Sequence, residues 1–227
     1  MASAQGKGGV EENPKQEQKQ QDKPKEQTNG EKEKDTTKGP AAACPRHSRH
    51  PLENVWTLWY LENDRSKHWK DMLTEVAKID SVETFWSLYY TIRPPSELKV
   101  GCDYSMFKLG IKPMWEDEAN SKGGRWLISV NKNSKAELDR LWLEILLMMT
   151  ARIFENSEEI CGAVINIRSK NNKISVWTAN GSNEAAILEI GQKLKLFLRL
   201  QSNNLQYQLH SDAMCKSNSS VKSIYTV

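Results

Sequence analysis

Lys135-Ala136-Glu137-Leu138-Asp139-Arg140-Leu141-Trp142-Leu143-Glu144-Ile145-Leu146-Leu147-Met148-Met149-Thr150, running on through Ala151-Arg152-Ile153 to about Phe154, carries the clearest periodicity in the chain. Leu138, Leu141, Trp142, Ile145, Leu146 and Met149 recur at helical spacing, which predicts an amphipathic helix with one face in a core. At about 100° per residue, Leu143 and Leu147 point nearly opposite that face, one turn apart. A leucine pair on a far face predicts a docking site for another chain, although single exposed leucines are ordinary.

The segments flanking this helix read as strands. Trp126-Leu127-Ile128-Ser129-Val130 precedes it, and Ile160 to Arg168 and Lys173 to Thr178 follow as a hairpin across Ser169-Lys170-Asn171-Asn172. Arg168, Lys170 and Lys173 surround that turn, where their heads could converge on one anion. Further upstream, Val55-Trp56-Thr57-Leu58-Trp59-Tyr60-Leu61 is β-branched and aromatic, a buried strand. A polar turn, Asn63 to Lys67, leads to Trp69 and a second strand-like run. Ser81 reads as the N-cap of a second helix, with Phe85, Leu88, Tyr89 and Ile92 inward and Val82 and Trp86 on the shoulder, ended by Pro94-Pro95. Asp103 to Leu109 is a short strand. Asn183-Glu184 starts a third helix with Ala186, Ile187, Ile190, Leu194, Phe197 and Leu198 inward. Tyr207 to His210 and Ile224 to Val227 read as strands. Three helices among many short strands, with no regular βαβ alternation, predict an α+β fold with a mostly antiparallel sheet.

Composition narrows the function classes. Among 227 residues, 32 Lys and Arg against 29 Asp and Glu leave a net charge of +3, compatible with a short phosphate ligand but weak for coating long nucleic acid. From Met1 to Arg49 there is almost no large apolar residue, so residues 1–49 are expected to form a disordered tail and residues 50–227 a single domain. No signal peptide or bilayer-spanning run is read, which sets an expectation of cytoplasmic residence with reduced thiols. Cys44, Cys102, Cys161 and Cys215 are scattered without metal spacing, so neither a metal nor a cofactor is expected.

The chemistry concentrates in Lys112-Pro113-Met114-Trp115-Glu116-Asp117-Glu118, followed by Gly123-Gly124-Arg125-Trp126. A Trp–Glu neighbour pair offers a flat π face and a two-oxygen acceptor together. That suits a planar cationic ring with N–H donors on one edge, and a guanine methylated at N7 is such a ring. Hydrolysis is the competing chemistry. Three consecutive carboxylates cannot all face one site, however, and no nucleophile–base pair with recognisable context accompanies them, so the chain reads as no enzyme. A generic single-strand RNA binder would show only weak preference for such a base.

Several motifs, in one order, resemble the eukaryotic translation initiation factor 4E family, whose members bind the 5′ cap of messenger RNA. They are His50-Pro51-Leu52, Trp56-Thr57-Leu58-Trp59, Ser66-Lys67-His68-Trp69, Val82-Glu83-Thr84-Phe85-Trp86, Gly101-Cys102-Asp103-Tyr104, Pro113-Met114-Trp115-Glu116, Gly123-Gly124-Arg125-Trp126 and Cys161-Gly162-Ala163-Val164. The resemblance implies a curved, mostly antiparallel sheet of about eight strands with three helices on its convex face. It implies that Trp69 and Trp115 sandwich 7-methylguanine, that Glu116 and the Trp115 N–H read its edge, and that Trp177 contacts the methyl group. Arg125, Arg168, Lys173 and Lys216 would face the phosphates.

The same resemblance implies a second site, made of His50, Pro51, Val82, Trp86, Leu143 and Leu147. It would receive a Tyr-x4-Leu-hydrophobic helix carried by the scaffold initiation factor 4G or by 4E-binding repressor proteins. Glu83 and Glu144 could pair with basic residues of that partner, and the chain itself would be a monomer. Thr150-Ala151-Arg152 stands where the family often has Ile-Gly-Glu, which predicts altered partner binding with cap binding intact. The implied function is promotion of translation initiation, with a cap-binding repressor as the alternative. Cytoplasm, nucleus and RNA granules are the implied locations. Ser219 falls in the family's regulatory phosphoserine region.

Overall fold

The computed structural model describes residues 49–64, 66–67, 69–200, 205–215 and 223–227, without the side chains of 69, 70 and 213–215. Residues 1–48 of the expected tail, Lys216 and Ser219 lie outside the described residues, and Arg49, its last residue, pairs with Asp80.

Eight strands form one antiparallel sheet in the order β2-β1-β3-β5-β6-β4-β7-β8. They are β1 (Pro51–Leu61), β2 (Leu73–Ser81), β3 (Asp103–Lys108), β4 (Gly124–Asn131), β5 (Ile160–Asn166), β6 (Asn171–Thr178), β7 (Leu205–Leu209) and β8 (Tyr225–Thr226). The helices are α1 (Trp69–Met72), α2 (Val82–Thr91), α3 (Glu118–Ser121), α4 (Lys135–Thr150), α5 (Glu184–Phe197) and α6 (His210–Cys215). Strands alternate their side chains, so the register sorts the sheet into two faces. Trp56, Leu58, Met106, Ile165, Ile174, Val176, Trp126 and Tyr207 occupy one face, where they join α2, α4 and α5 in a single core. Trp126 is fully buried there, and its indole N–H donates to the Ile187 carbonyl of α5 at 3.0 Å. α5 sits so close that a Cβ added at Gly191 would run into the Trp126 ring.

The predicted cap of α2 is present. Ser81 Oγ accepts from the Thr84 N–H at 3.3 Å, and Thr84 Oγ1 accepts from the Ser81 N–H at 3.0 Å. This reciprocal pair satisfies donors that a helix start leaves open. The α4 face expected inward is buried at every position named.

The helix stops at Thr150, four residues before the predicted end at Phe154. Arg152 turns left-handed at φ 51°, the Arg152 N–H donates to the Met149 carbonyl at 3.3 Å, and the Ile153 N–H to the Met148 carbonyl at 3.1 Å. That is a Schellman termination, which usually places glycine where Arg152 stands. Leu143 and Leu147 are half-buried against the edge of the core, less open than helical phase suggested. At the end of α5, Phe197 is 49% exposed instead of inward, because Leu198 fills the core position one residue on. β7 ends at Leu209, and His210 begins α6 where a strand was expected to continue.

Candidate functional site

The face opposite the helices holds a cleft of about 440 Å³. Pairing across the strands explains its floor. Asp103 faces Asn166, Ser105 faces Val164, which in turn faces Ser175, and Trp177 lies between Gly162 and Arg125. The mixed lining of small polar and apolar groups is the ordinary make-up of a ligand cleft. Gly162 is required by this packing, since a Cβ there would meet the Phe107 ring at 2.5 Å.

Trp177, Phe107, Cys161 and Val164 form a small buried cluster on this face, and Trp115 packs against it. Phe107 meets Trp177 edge-on, with centroids 5.4 Å apart, and the Trp177 N–H donates to Ser175 Oγ at 3.1 Å. On its other side lies His210, fully buried, with ring centroids 4.2 Å apart. Burial, and then the nearby Arg125 guanidinium, push the His210 imidazole down to about 4.

Trp115 and Glu116 both line the cleft, on a loop between β3 and α3. Trp115 is half-buried and Glu116 exposed. Neither backbone N–H of this pair has an acceptor among the described residues. The Glu116 carboxylate likewise has no hydrogen-bond or ion-pair partner among the described residues. Asp117 accepts from the Lys112 N–H and the Ala119 N–H, both at 3.0 Å. It therefore caps α3 and braces the loop, which separates it in role from Glu116.

The cationic residues divide. Arg125 lines the cleft with its Nε buried and unpartnered, and desolvation lowers its pKa from the ordinary value. An anion reaching that guanidinium would relieve an uncompensated charge. Arg168 is not free. Its two terminal nitrogens bind the Asp103 carboxylate at 2.5 and 3.0 Å, and Asn166 donates to the same carboxylate at 2.8 Å. The expected convergence of Arg168, Lys170 and Lys173 is thereby modified, because the strongest donor of the three is turned onto β3. Lys173 alternates with Ser175 and Trp177 along β6, which puts it on the cleft side, exposed. Trp69 opens α1 between β1 and β2, but its side chain, like Lys216, lies outside the described residues.

Sequence reading passed over Asp103, Ser105, Asn166 and Ser175. A usable signal was present, since polar residues alternate with Tyr104 and Met106 in β3, the pattern of a strand with one wet face.

Of the second predicted set, His50 and Pro51 lie at the start of β1, Val82 and Trp86 on α2, and Leu143 and Leu147 on α4. Pro51 pairs with Ser81, the Val82 N–H donates to the His50 carbonyl at 2.9 Å, and Trp86 stacks on Tyr90 at 5.6 Å. Val82 is 40% exposed. The two acidic residues named as able to pair with a partner also hold bonds within the chain. Glu83 accepts from the His50 N–H at 3.0 Å and lies 2.6 Å from its Nδ1, a bond that leads in holding the carboxyl at about 2. Glu144 accepts from Arg140 at 2.7 Å. Arg152 forms ion pairs with Glu53 and Glu158 and so ties the end of α4 to β1.

An antiparallel sheet backed by three long helices, with an indole and a carboxylate over a floor of mixed polar and apolar groups, defines a binding protein for a flat, edge-donating ring. The family model described as eukaryotic initiation factor 4E matches residues 51–225, and the chain belongs to that family. It is 64% identical over 180 residues to eukaryotic translation initiation factor 4E1 of Drosophila melanogaster, covering 79% of this chain and 70% of that one. Ascaris suum eIF4E-3, solved in complex with m7G cap, has 48% identity and a TM-score of 0.74, over 79% of this chain and 98% of its own. Caenorhabditis elegans eIF4E-3, solved with the 4E-binding protein Mextli and a cap analog, has 46% identity and a TM-score of 0.71, over 74% and 97%.

Proposed function

We propose that this chain binds the 7-methylguanosine 5′ cap of messenger RNA in the cleft and recruits a scaffold protein through its helical face to promote translation initiation. The observation that carries the reading is the Trp115–Glu116 pair, held over the Trp177 floor beside Arg125. The cap base stacks on Trp115, with Trp69 as the second ring. Its delocalised positive charge adds a cation–π attraction to each stacked face, which contributes about 1–3 kcal/mol. Glu116 accepts from N1–H and the exocyclic amine, and the Trp115 N–H donates to O6. Arg125, Arg168, Lys173 and Lys216 serve the phosphates, with Arg168 oriented by Asp103.

On the other face His50, Pro51, Val82, Trp86, Leu143 and Leu147 receive the Tyr-x4-Leu-hydrophobic helix of scaffold factor 4G or of 4E-binding repressors. The arrangement supports binding without a catalytic step, because Asp117 is occupied in capping α3 and cannot join Glu116 around a reacting atom. Cytoplasm is the proposed location, with nucleus and RNA granules as further sites. Titrating tryptophan fluorescence with 7-methyl-GTP and with GTP tests the reading. Strong quenching at low 7-methyl-GTP, lost in Trp115→Ala, is expected. Equal affinity for the two nucleotides would overturn it.

A further inference from the structure

The loop that carries Trp115 and Glu116 belongs to neither a strand nor a helix, yet both residues must keep their place for stacking and edge recognition. Two of its carbonyls accept short-range backbone bonds, Lys112 from the Met114 N–H at 2.7 Å and Met114 from the Asp117 N–H at 3.3 Å, and the same two share one side-chain donor. Asn120, on α3, is fully buried, and its Nδ2 donates to the Lys112 carbonyl at 2.9 Å and to the Met114 carbonyl at 2.8 Å. Those carbonyls bracket Pro113, just before Trp115. The Asn120 main chain adds two more ties: its N–H donates to the Asp117 carbonyl at 2.9 Å, and its carbonyl accepts from the Gly123 N–H at 2.9 Å. One residue thus connects the start of the loop, its middle, its exit into α3 and the residue that precedes β4. Backbone groups without a ladder need such a partner when they are buried, and a side chain with two amide hydrogens can serve two carbonyls at once.

We propose that Asn120 is the positioning residue of the base-reading loop. By holding the carbonyls on either side of Pro113 it fixes where the Trp115 ring and the Glu116 carboxylate stand, and so sets selectivity for the methylated base. It touches no ligand itself. The inference rests on the cap-binding reading for its consequence and on the loop geometry for its cause, and the two can be tested apart.

The test uses the full chain with Asn120→Ala and Asn120→Asp. The second keeps the volume but turns an acceptor oxygen on the two carbonyls; a urea midpoint for each variant establishes that it is folded before the loop is compared. Tryptophan quenching by 7-methyl-GTP and GTP is measured beside hydrogen exchange of the segment 111–117 and binding of a Tyr-x4-Leu peptide. The expected result is a Kd for 7-methyl-GTP raised about tenfold, a smaller change for GTP, faster exchange in 111–117 and unchanged peptide affinity. A merely structural role would lower the quench amplitude and leave the midpoint in place, and that outcome refutes the proposal. Unchanged exchange in 111–117 refutes it as well, whatever the nucleotide result. If the unmodified chain fails to prefer 7-methyl-GTP, cap binding falls, and the exchange data alone then decide whether Asn120 holds the loop.

Discussion

Replacing Glu116 by Gln separates charge from shape at the cap edge. The side chain is exposed, and among the described residues nothing in the free protein pairs with it, so the change should leave folding untouched. Opposite charges about 4 Å apart attract by about 1 kcal/mol in a water-like setting and about 4 at an effective dielectric of 20. An exposed rim position lies toward the lower value. Charge-assisted hydrogen bonds contribute about 1.5–3 kcal/mol against about 1 for neutral ones, and Gln can still accept one bond. Together these give a loss of about 2 kcal/mol for 7-methyl-GTP, roughly thirtyfold in Kd. GTP lacks the ring charge and should lose only the hydrogen-bond part, about 1 kcal/mol or roughly fivefold. Fluorescence titration of both nucleotides with both proteins measures the selectivity ratio, which should shrink about sixfold. Equal losses for the two nucleotides would refute the charge argument. An unchanged Kd for both would refute Glu116 as the edge reader.

Stability should also depend on pH through His210. Its folded value of about 4 lies below the ordinary 6.5, so the unfolded chain binds the extra proton and stability, full above pH 6.5, falls as pH drops toward 4. The loss approaches about 3 kcal/mol, and urea midpoints at pH 7.5, 6 and 5 should fall more steeply for the unmodified protein than for His210→Phe. Glu83, held at about 2, contributes above 4.5 and is lost only as pH falls through 2, so the upper window isolates the histidine. Leu143→Ala with Leu147→Ala should weaken a Tyr-x4-Leu peptide at least about tenfold in a polarisation assay while leaving 7-methyl-GTP affinity in place. Gly191→Ala should cost about 1–3 kcal/mol in denaturant unfolding, because the added methyl meets the Trp126 indole.

Local pattern was enough for the elements that bury one face. The α4 stripe, the Ser81 cap and the alternating strands are short-range signals, and each lies where spacing put it. The Trp115–Glu116 pair was legible too, because a large indole beside a carboxylate in a Pro- and Gly-broken loop is chemically conspicuous. Tertiary structure decided what depends on residues far apart in the chain. Arg168 could not be known as Asp103's partner across 65 positions, nor Glu83 as His50's across 33, since ion pairs follow the sheet's register and the packing of helix starts. His210 behind Trp177, and Asn120 under the Trp115 loop, were equally silent: an isolated polar residue has no period, and only the fold shows what its nitrogens face. Periodicity and capping therefore determined the scaffold, while the arrangement of charge and the support of the reading loop were determined where distant strands meet.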